Sequence, residues 1–236
     1  MMQHQAQFRT NPEAAADGFW RDGFHLEFGV RSDAECDRLI EAANSFTDLS
    51  GEDYRQYHQP HRRHAAFLDA LRHSDIVTAA ETLVGGEGAA IQSILLFGCP
   101  STPGFPPHQD NIYVHADADK FLLTWSALAD ATPENGGLYL YPGSHKEPLL
   151  ALPRVEQVTG PYFDPDIFTV EAPERYEAVD VTVPQGAVVF MHSHLIHGSH
   201  SNRTDGYRYA FFTSYIRRGE AFLPGNKAKR DEVPLH

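Results

Sequence analysis

The chain has 236 residues, 42% of them hydrophobic and 22% charged, which is ordinary globular usage and excludes a disordered, collagenous or repeat-built chain; one domain over 1–236 is the simplest organisation. Its 19 Lys+Arg against 32 Asp+Glu give a net charge of −13, the wrong sign for a protein whose main partner is nucleic acid or an anionic membrane. Cys36 and Cys99 cannot build a disulfide framework or a zinc knuckle, no apolar run approaches the roughly 20 residues of a membrane span, and the start lacks a signal-peptide pattern, so the expectation is a cytoplasmic protein acting on a small molecule.

In chain order, Asn11 as cap and Pro12 at the first helical position predict a short helix to Asp22. GFHLEF (Gly23 to Phe28) then reads as a strand. Ser32 and Glu35 form a capping box ahead of an amphipathic helix to Phe46, with Cys36, Leu39, Ile40 and Ala43 at helical spacing. Residues 48–64 are polar and read as a surface loop; Arg55, His58, His61, Arg62, Arg63 and His64 offer a basic rim for an anionic substrate. One helix is predicted from Ala65 to Leu83, ended by Gly85-Gly86. Beyond Gly88 the texture turns to short β-type runs bounded by turn residues: 90–98, 121–130, 137–143, 178–183, 186–192 and 207–216. Helices first and many short strands after them imply an α+β protein with a sandwich or barrel core. Segment 153–177, with four prolines and the aromatics Tyr162, Phe163, Phe168 and Tyr176, fits no periodic template and is a candidate lid. The polar tail 225–236 is expected to fray.

Histidine is unusually abundant, 14 residues, and imidazole is the commonest metal ligand. In His108-Gln109-Asp110, residues i and i+2 of an extended segment point the same way and can grip one ion. Alone this reads as a surface turn after Pro106-Pro107. A third ligand is offered by GAVVFMHSHLIHGSH, where His192, His194, His197 and His200 compete; spacing favours His197 only modestly over the pair His192 and His194. Two histidines and a carboxylate leave three adjacent positions of an octahedron open, an arrangement suited to non-haem Fe(II) activating O2. Arg208 follows His197 by a strand-turn-strand interval, and its planar guanidinium matches a carboxylate with two parallel hydrogen bonds. The competing reading is an arginine paired with a structural Asp or Glu.

His108-Gln109-Asp110 with Tyr113, then WSALADATPENGGLYLYPGSHK (Trp125 to Lys146), then GAVVFMHSHLIHGSHSNRTDGYRYAFFTSYI (Gly186 to Ile216), in that order and with the opening DGFHLEFGVRSDAECDRLIEA, resemble the phytanoyl-CoA dioxygenase (PhyH) family of Fe(II)/2-oxoglutarate oxygenases, ectoine-hydroxylase-like members included. The resemblance implies a double-stranded β-helix, a cupin-like jelly-roll barrel flanked by N-terminal helices. It implies His108, Asp110 and His197 as iron ligands, and Arg208 with Ser199 as holders of the 2-oxoglutarate carboxylate. Trp125 matches a residue lining the co-substrate pocket and Gln92 one near substrate; by themselves they read equally as a core aromatic and a strand-edge amide. With Asp110 present, halogenation is disfavoured and hydroxylation of a small metabolite or biosynthetic intermediate, using O2 and releasing succinate and CO2, is the implied activity. Desaturation, cyclisation or epimerisation by the same oxidant, and a non-catalytic cupin-like binding module, are the alternatives.

Overall fold

The computed structural model describes residues 6–46, 56–150, 168–225 and 229–236. Helix α1 (Pro12–Asp22) starts as its sequence dictates: Asn11 Oδ1 accepts from Ala14 N at 3.2 Å, and Gly23, at φ 84°, ends it by donating to the Phe19 carbonyl. Strand β1 (Phe24–Glu27) follows, then α2 (Asp33–Phe46), where Ser32 N donates to Glu35 Oε2 at 2.8 Å and Glu35 N to Ser32 Oγ at 3.4 Å. These are the two halves of the capping box.

Two expectations for the next stretch fail. Residues 56–62 are not a surface loop: β2 (Gln56–His58) pairs with β3 (Gly88–Gly98), a 3-10 turn runs Pro60–Arg62, and Gln59, Pro60 and His61 are buried. The cations of the supposed rim hold structure instead. Arg62 pairs with Asp231, Arg63 donates to the Tyr57 hydroxyl and His64 caps the following helix. Residues 48–55 lie outside the described residues. The single helix from Ala65 is two, α3 (Ala65–Leu71) and α4 (Ser74–Val84). Its apolar stripe is continuous, but the last carbonyls of α3 are claimed from elsewhere in the fold, Leu71 by Tyr215 Oη and Ala70 by Arg31 Nη2, both at 2.7 Å. Side chains that satisfy those carbonyls release the backbone from continuing the helix.

Among the described residues the remaining strands are β4 (Phe105–His108), β5 (Phe121–Ala127), β6 (Leu138–Leu140), β7 (Val179–Asp180), β8 (Val188–His192), β9 (His197–Ser199), β10 (Arg208–Arg217) and β11 (Val233–Pro234). All pairings are antiparallel. One sheet runs β1-β8-β5-β10-β3-β11, with β2 also on β3; the other runs β4-β9-β6-β7. Alternation along the strands sorts side chains to two sides. Leu123, Trp125, Val189, Met191 and Ala210 of the large sheet meet Leu138 and Leu140 of the small one in a common interior. Leu122, Val188, Phe190 and Phe211 point outward and pack on Phe19, Leu39, Phe67 and Leu83 of the four helices. Two antiparallel sheets around an apolar interior, with helices on the outer face of one, make the double-stranded β-helix, or jelly roll. No described helix is long and apolar enough to cross a membrane.

The tail is also more ordered than its composition suggests. β11 pairs with Ala89 and Ala90 of β3, and Leu235 is buried in the helix-side core. Of the candidate lid, 168–176 is laid down on the barrel: Val170 N donates to Pro107 O and Phe168 N to Tyr113 Oη. Tyr162 and Phe163 lie outside the described residues.

Candidate metal centre

The small sheet brings the metal-binding motif together. β4 and β9 pair so that His108 stands directly opposite His197, their rings 4.2 Å apart. Asp110 opens the 3-10 turn Asp110–Tyr113 immediately after β4. Gln109, between the two ligand candidates, points the other way and is tied at both ends, donating to His194 O at 2.8 Å and accepting from Leu150 N at 2.7 Å. That anchorage fixes the alternation, so His108 and Asp110 share a face.

Both imidazoles are oriented by the same device. His108 Nδ1 donates to Pro106 O at 2.9 Å and His197 Nδ1 to Leu195 O at 3.0 Å, each two residues back. The Nε2 atoms are thereby left as acceptors, and each lies 3.5 Å from a different oxygen of Asp110. A carbonyl that fixes the tautomer and aims the other nitrogen is the usual support of a metal-binding histidine. Burial alone would raise the Asp110 carboxyl, but the adjoining His108 and His197 rings outweigh it and hold the group well below the usual carboxylate range. Burial lowers His108, and the neighbouring His197 lowers it further. Burial works in the same direction on His197, yet the Asp110 carboxylate beside its Nε2 prevails and raises it. A metal binding at these atoms competes with protons for the same donors.

The rest of the histidine cluster is sorted by sheet faces. His192 points out of the barrel, against the Trp20 and His145 rings at 5.6 and 5.0 Å; burial, aided by His145, lowers its pKa to about 4. His194 is a structural tie: its Nδ1 donates to Glu147 O, and its Nε2 accepts from Asn111 Nδ2, both at 3.1 Å. His200 lies on the outer face beside Tyr139 and bonds Asp180 at 2.6 Å.

Arg208 begins β10 opposite Gly98 and is buried. Its inward face holds Ala210, and its Cζ lies 5.4 Å from the Trp125 ring centre. A Cβ on Gly98 would stand 3.1 Å from Arg208 Nη2, so the glycine makes room for the guanidinium. Ser199 stands opposite Leu138, as His197 stands opposite Leu140, which puts both on the interior face; Ser199 Oγ accepts from Phe105 N at 3.2 Å. Gly198 between them cannot carry a side chain, because its Cβ would fall 2.3 Å from Tyr139 Oη and 2.6 Å from the Phe105 carbonyl.

Residues 19–210 match the family described as Phytanoyl-CoA dioxygenase (PhyH). The chain belongs to the PhyH family. A phytanoyl-CoA dioxygenase of Arabidopsis thaliana is 30% identical over 179 residues, 75% of this chain and 62% of that protein. Phytanoyl-CoA dioxygenase 1 of Oryza sativa subsp. japonica is 36% identical over 123 residues, 52% of this chain and 42% of the relative. The PhyH-family chain thus spans less than two thirds of the length of these relatives. Two solved structures share its fold: the non-heme alpha ketoglutarate dependent carbocyclase SnoK from nogalamycin biosynthesis, with a TM-score of 0.75 at 21% identity over 94% of this chain and 93% of that one, and EctD from S. alaskensis, with 2-oxoglutarate and 5-hydroxyectoine, with a TM-score of 0.70 at 22% identity over 92% and 80%.

The donor set of this PhyH-family chain fits a divalent metal. One atom from each of His108, Asp110 and His197 lies within 4.8 Å of the others, and Asp110 Oδ2 is buried without a hydrogen-bond partner. Two neutral imidazoles and a carboxylate suit Fe(II). The resemblance named these three together with Trp125 and Arg208, whose ring centre and Cζ the structure sets 5.4 Å apart, but neither it nor the residue pattern marked Arg230. That residue lies in the supposedly frayed tail, and its Nε donates to Gln92 Oε1 at 2.6 Å. No local pattern marks it, because only the return of the chain to β3 puts it there.

Proposed function

We propose that the protein is an Fe(II)- and 2-oxoglutarate-dependent oxygenase that hydroxylates a small organic metabolite or biosynthetic intermediate, in one domain, in a reducing cytoplasm. The observation that carries this reading is the pair of histidines whose Nε2 atoms are turned by backbone carbonyls onto the two oxygens of Asp110. His108, Asp110 and His197 would hold the metal. Bound there, Fe(II) with 2-oxoglutarate and O2 supplies the oxidising chemistry, with succinate and CO2 as co-products. Arg208, fixed over Gly98, takes the distal carboxylate of 2-oxoglutarate, Trp125 walls that pocket and Ser199 lines the same interior face. Phe168 and Val170, bonded to Tyr113 and Pro107, cover the flank of the turn that bears Asp110. Excluding water protects a reactive oxidant from side reactions.

Free Cys36 and Cys99, both buried, are consistent with a reducing compartment. A second reading keeps the oxidant and changes the outcome, since proteins of this fold include one named an epimerase and one a carbocyclase. Product mass separates them: one oxygen gained for hydroxylation, two hydrogens lost for desaturation or ring closure, none for epimerisation.

The test is an anaerobic titration of the protein with Fe(II), then 2-oxoglutarate, following the visible charge-transfer band of the chelate. The band is expected in the wild type, and Arg208→Ala should need at least about tenfold more 2-oxoglutarate, the loss expected for a charge-assisted pair. Bound iron without a band would instead identify a metal-binding module.

A further inference from the structure

The outer edge of β3 is covered in two pieces. β11 pairs with Ala89 and Ala90, β2 with Ile94, Leu95 and Leu96. Gln92 falls in the gap between them. Beyond a register shift at Ser214/Tyr215, the even-numbered residues of β3 face the interior, as Leu96 and Gly98 show. Through this gap the C-terminal segment inserts the Arg230 guanidinium. Nε donates to Gln92 Oε1 at 2.6 Å, and Nη1 to the carbonyls of Tyr113 at 3.0 Å and Leu223 at 3.3 Å. Tyr113 closes the short turn that Asp110 opens, and Asp110 is the charged group whose field reaches Arg230.

Like Arg31, Arg63 and Arg72, Arg230 donates to neutral oxygens, and what sets it apart is its place beside the turn that bears Asp110. Arg9, Arg21, Arg62, Arg175, Arg217 and Arg218 each pair with a carboxylate. Arg230 is half-buried and, among the described residues, is held by neutral oxygens, none of them accepting from its Nη2. In a chain of net charge −13, a partly desolvated cation with no contacting carboxylate among the described residues, beside a reaction centre, is a site for an incoming anion. The charge balance points the same way. A dication, Asp110, a dianionic co-substrate and Arg208 cancel one another, and Arg230 leaves one positive charge.

We propose that Arg230 binds a carboxylate of the molecule to be oxidised, and that Gln92 positions the guanidinium rather than touching the reacting carbon. The proposal rests on the oxygenase reading and names its substrate class: a monocarboxylate small enough to lie between Arg230 and the metal.

The test uses protein labelled with 15N-arginine and loaded with Zn(II), as a diamagnetic substitute for iron, and saturating 2-oxoglutarate. Acetate is the probe, acetamide its neutral control. The Arg230 side-chain resonance is assigned by its loss in Arg230→Gln, or in Arg230→Lys should that variant fold poorly. It is expected to shift saturably with half-effect at on the order of tens of millimolar acetate, while exposed Arg203 and Arg218 drift without saturation and acetamide does nothing. Gln92→Leu should raise the half-effect concentration about threefold. An Arg230 signal that follows the surface arginines, or that responds to acetamide as to acetate, overturns the proposal. Because the chelate band with Fe(II) and 2-oxoglutarate is read separately, its absence would reject the oxygenase reading, whereas a normal band with an indifferent Arg230 would reject this assignment alone.

Discussion

His194 and His197 are three residues apart, equally histidine and both within reach of the turn after β4, yet only one aims a ring nitrogen at Asp110. The difference lies in what each Nε2 is given. His194 Nε2 accepts from Asn111, while His197 Nε2 is turned to the carboxylate. His194→Ala should therefore leave the metal in place and weaken the chain by about 1–2 kcal/mol, the cost of unpairing one of the two Asn111 Nδ2 protons and the Glu147 carbonyl. His197→Ala should lower metal affinity by more than about 100-fold, beyond the 10–100-fold typical of losing a supporting residue. Metal titration and urea unfolding of the two variants check this, and equal loss of metal from both would refute the sorting. In the sequence the choice was open, because spacing along one strand cannot say which histidine follows the bend at Ser193. The family resemblance chose His197, and the sheet geometry supplies the reason: only β9 faces β4.

Elements were legible where the signal is local. Asn11, Ser32 and Glu35 make their capping bonds within three residues and Pro12 sets the first helical φ, so α1 and α2 could be read directly. β4 and β9, which carry His108 and His197, could not be read as strands: they are three or four residues long and exist by pairing with each other and, for β9, with β6. The break between α3 and α4 was hidden for the opposite reason, since Tyr215 and Arg31 impose it from more than 30 residues away. The tail combines both difficulties. Its polar residues suggested fraying, but Arg62 holds the Lys229 carbonyl, Arg72 that of Pro234, and Leu235 closes the core beside α4. Leu235→Ala should cost about 2 kcal/mol in urea unfolding, the low end for a buried leucine because the chain end can relax. An unchanged midpoint would show that the strap is not docked in solution, and with it the delivery of Arg230 would fall.

At the scale of the whole molecule, neutral buried histidines set how the fold responds to acid. His61 lies in a turn expected to be exposed but is buried, its Nδ1 2.6 Å from Ser93 Oγ; burial, reinforced by Arg62, lowers its pKa from 6.5 to about 4. His192, under α1, is lowered to about 4 as well. Between these values the unfolded chain binds protons that the folded one refuses, so stability rises with pH across the window. Their contribution is therefore full above about pH 6.5 and declines as the pH falls toward 4. The metal-free protein should show a Tm that drops steadily from pH 7 to pH 4.5. His61→Leu removes one of the two titrations and orphans the Ser93 hydroxyl. Its Tm should be lower than the wild type's at pH 7 but fall less steeply toward pH 4.5, so that the two curves converge. Parallel curves would mean that His61 titrates alike in both states, and that the turn bearing it is open to water.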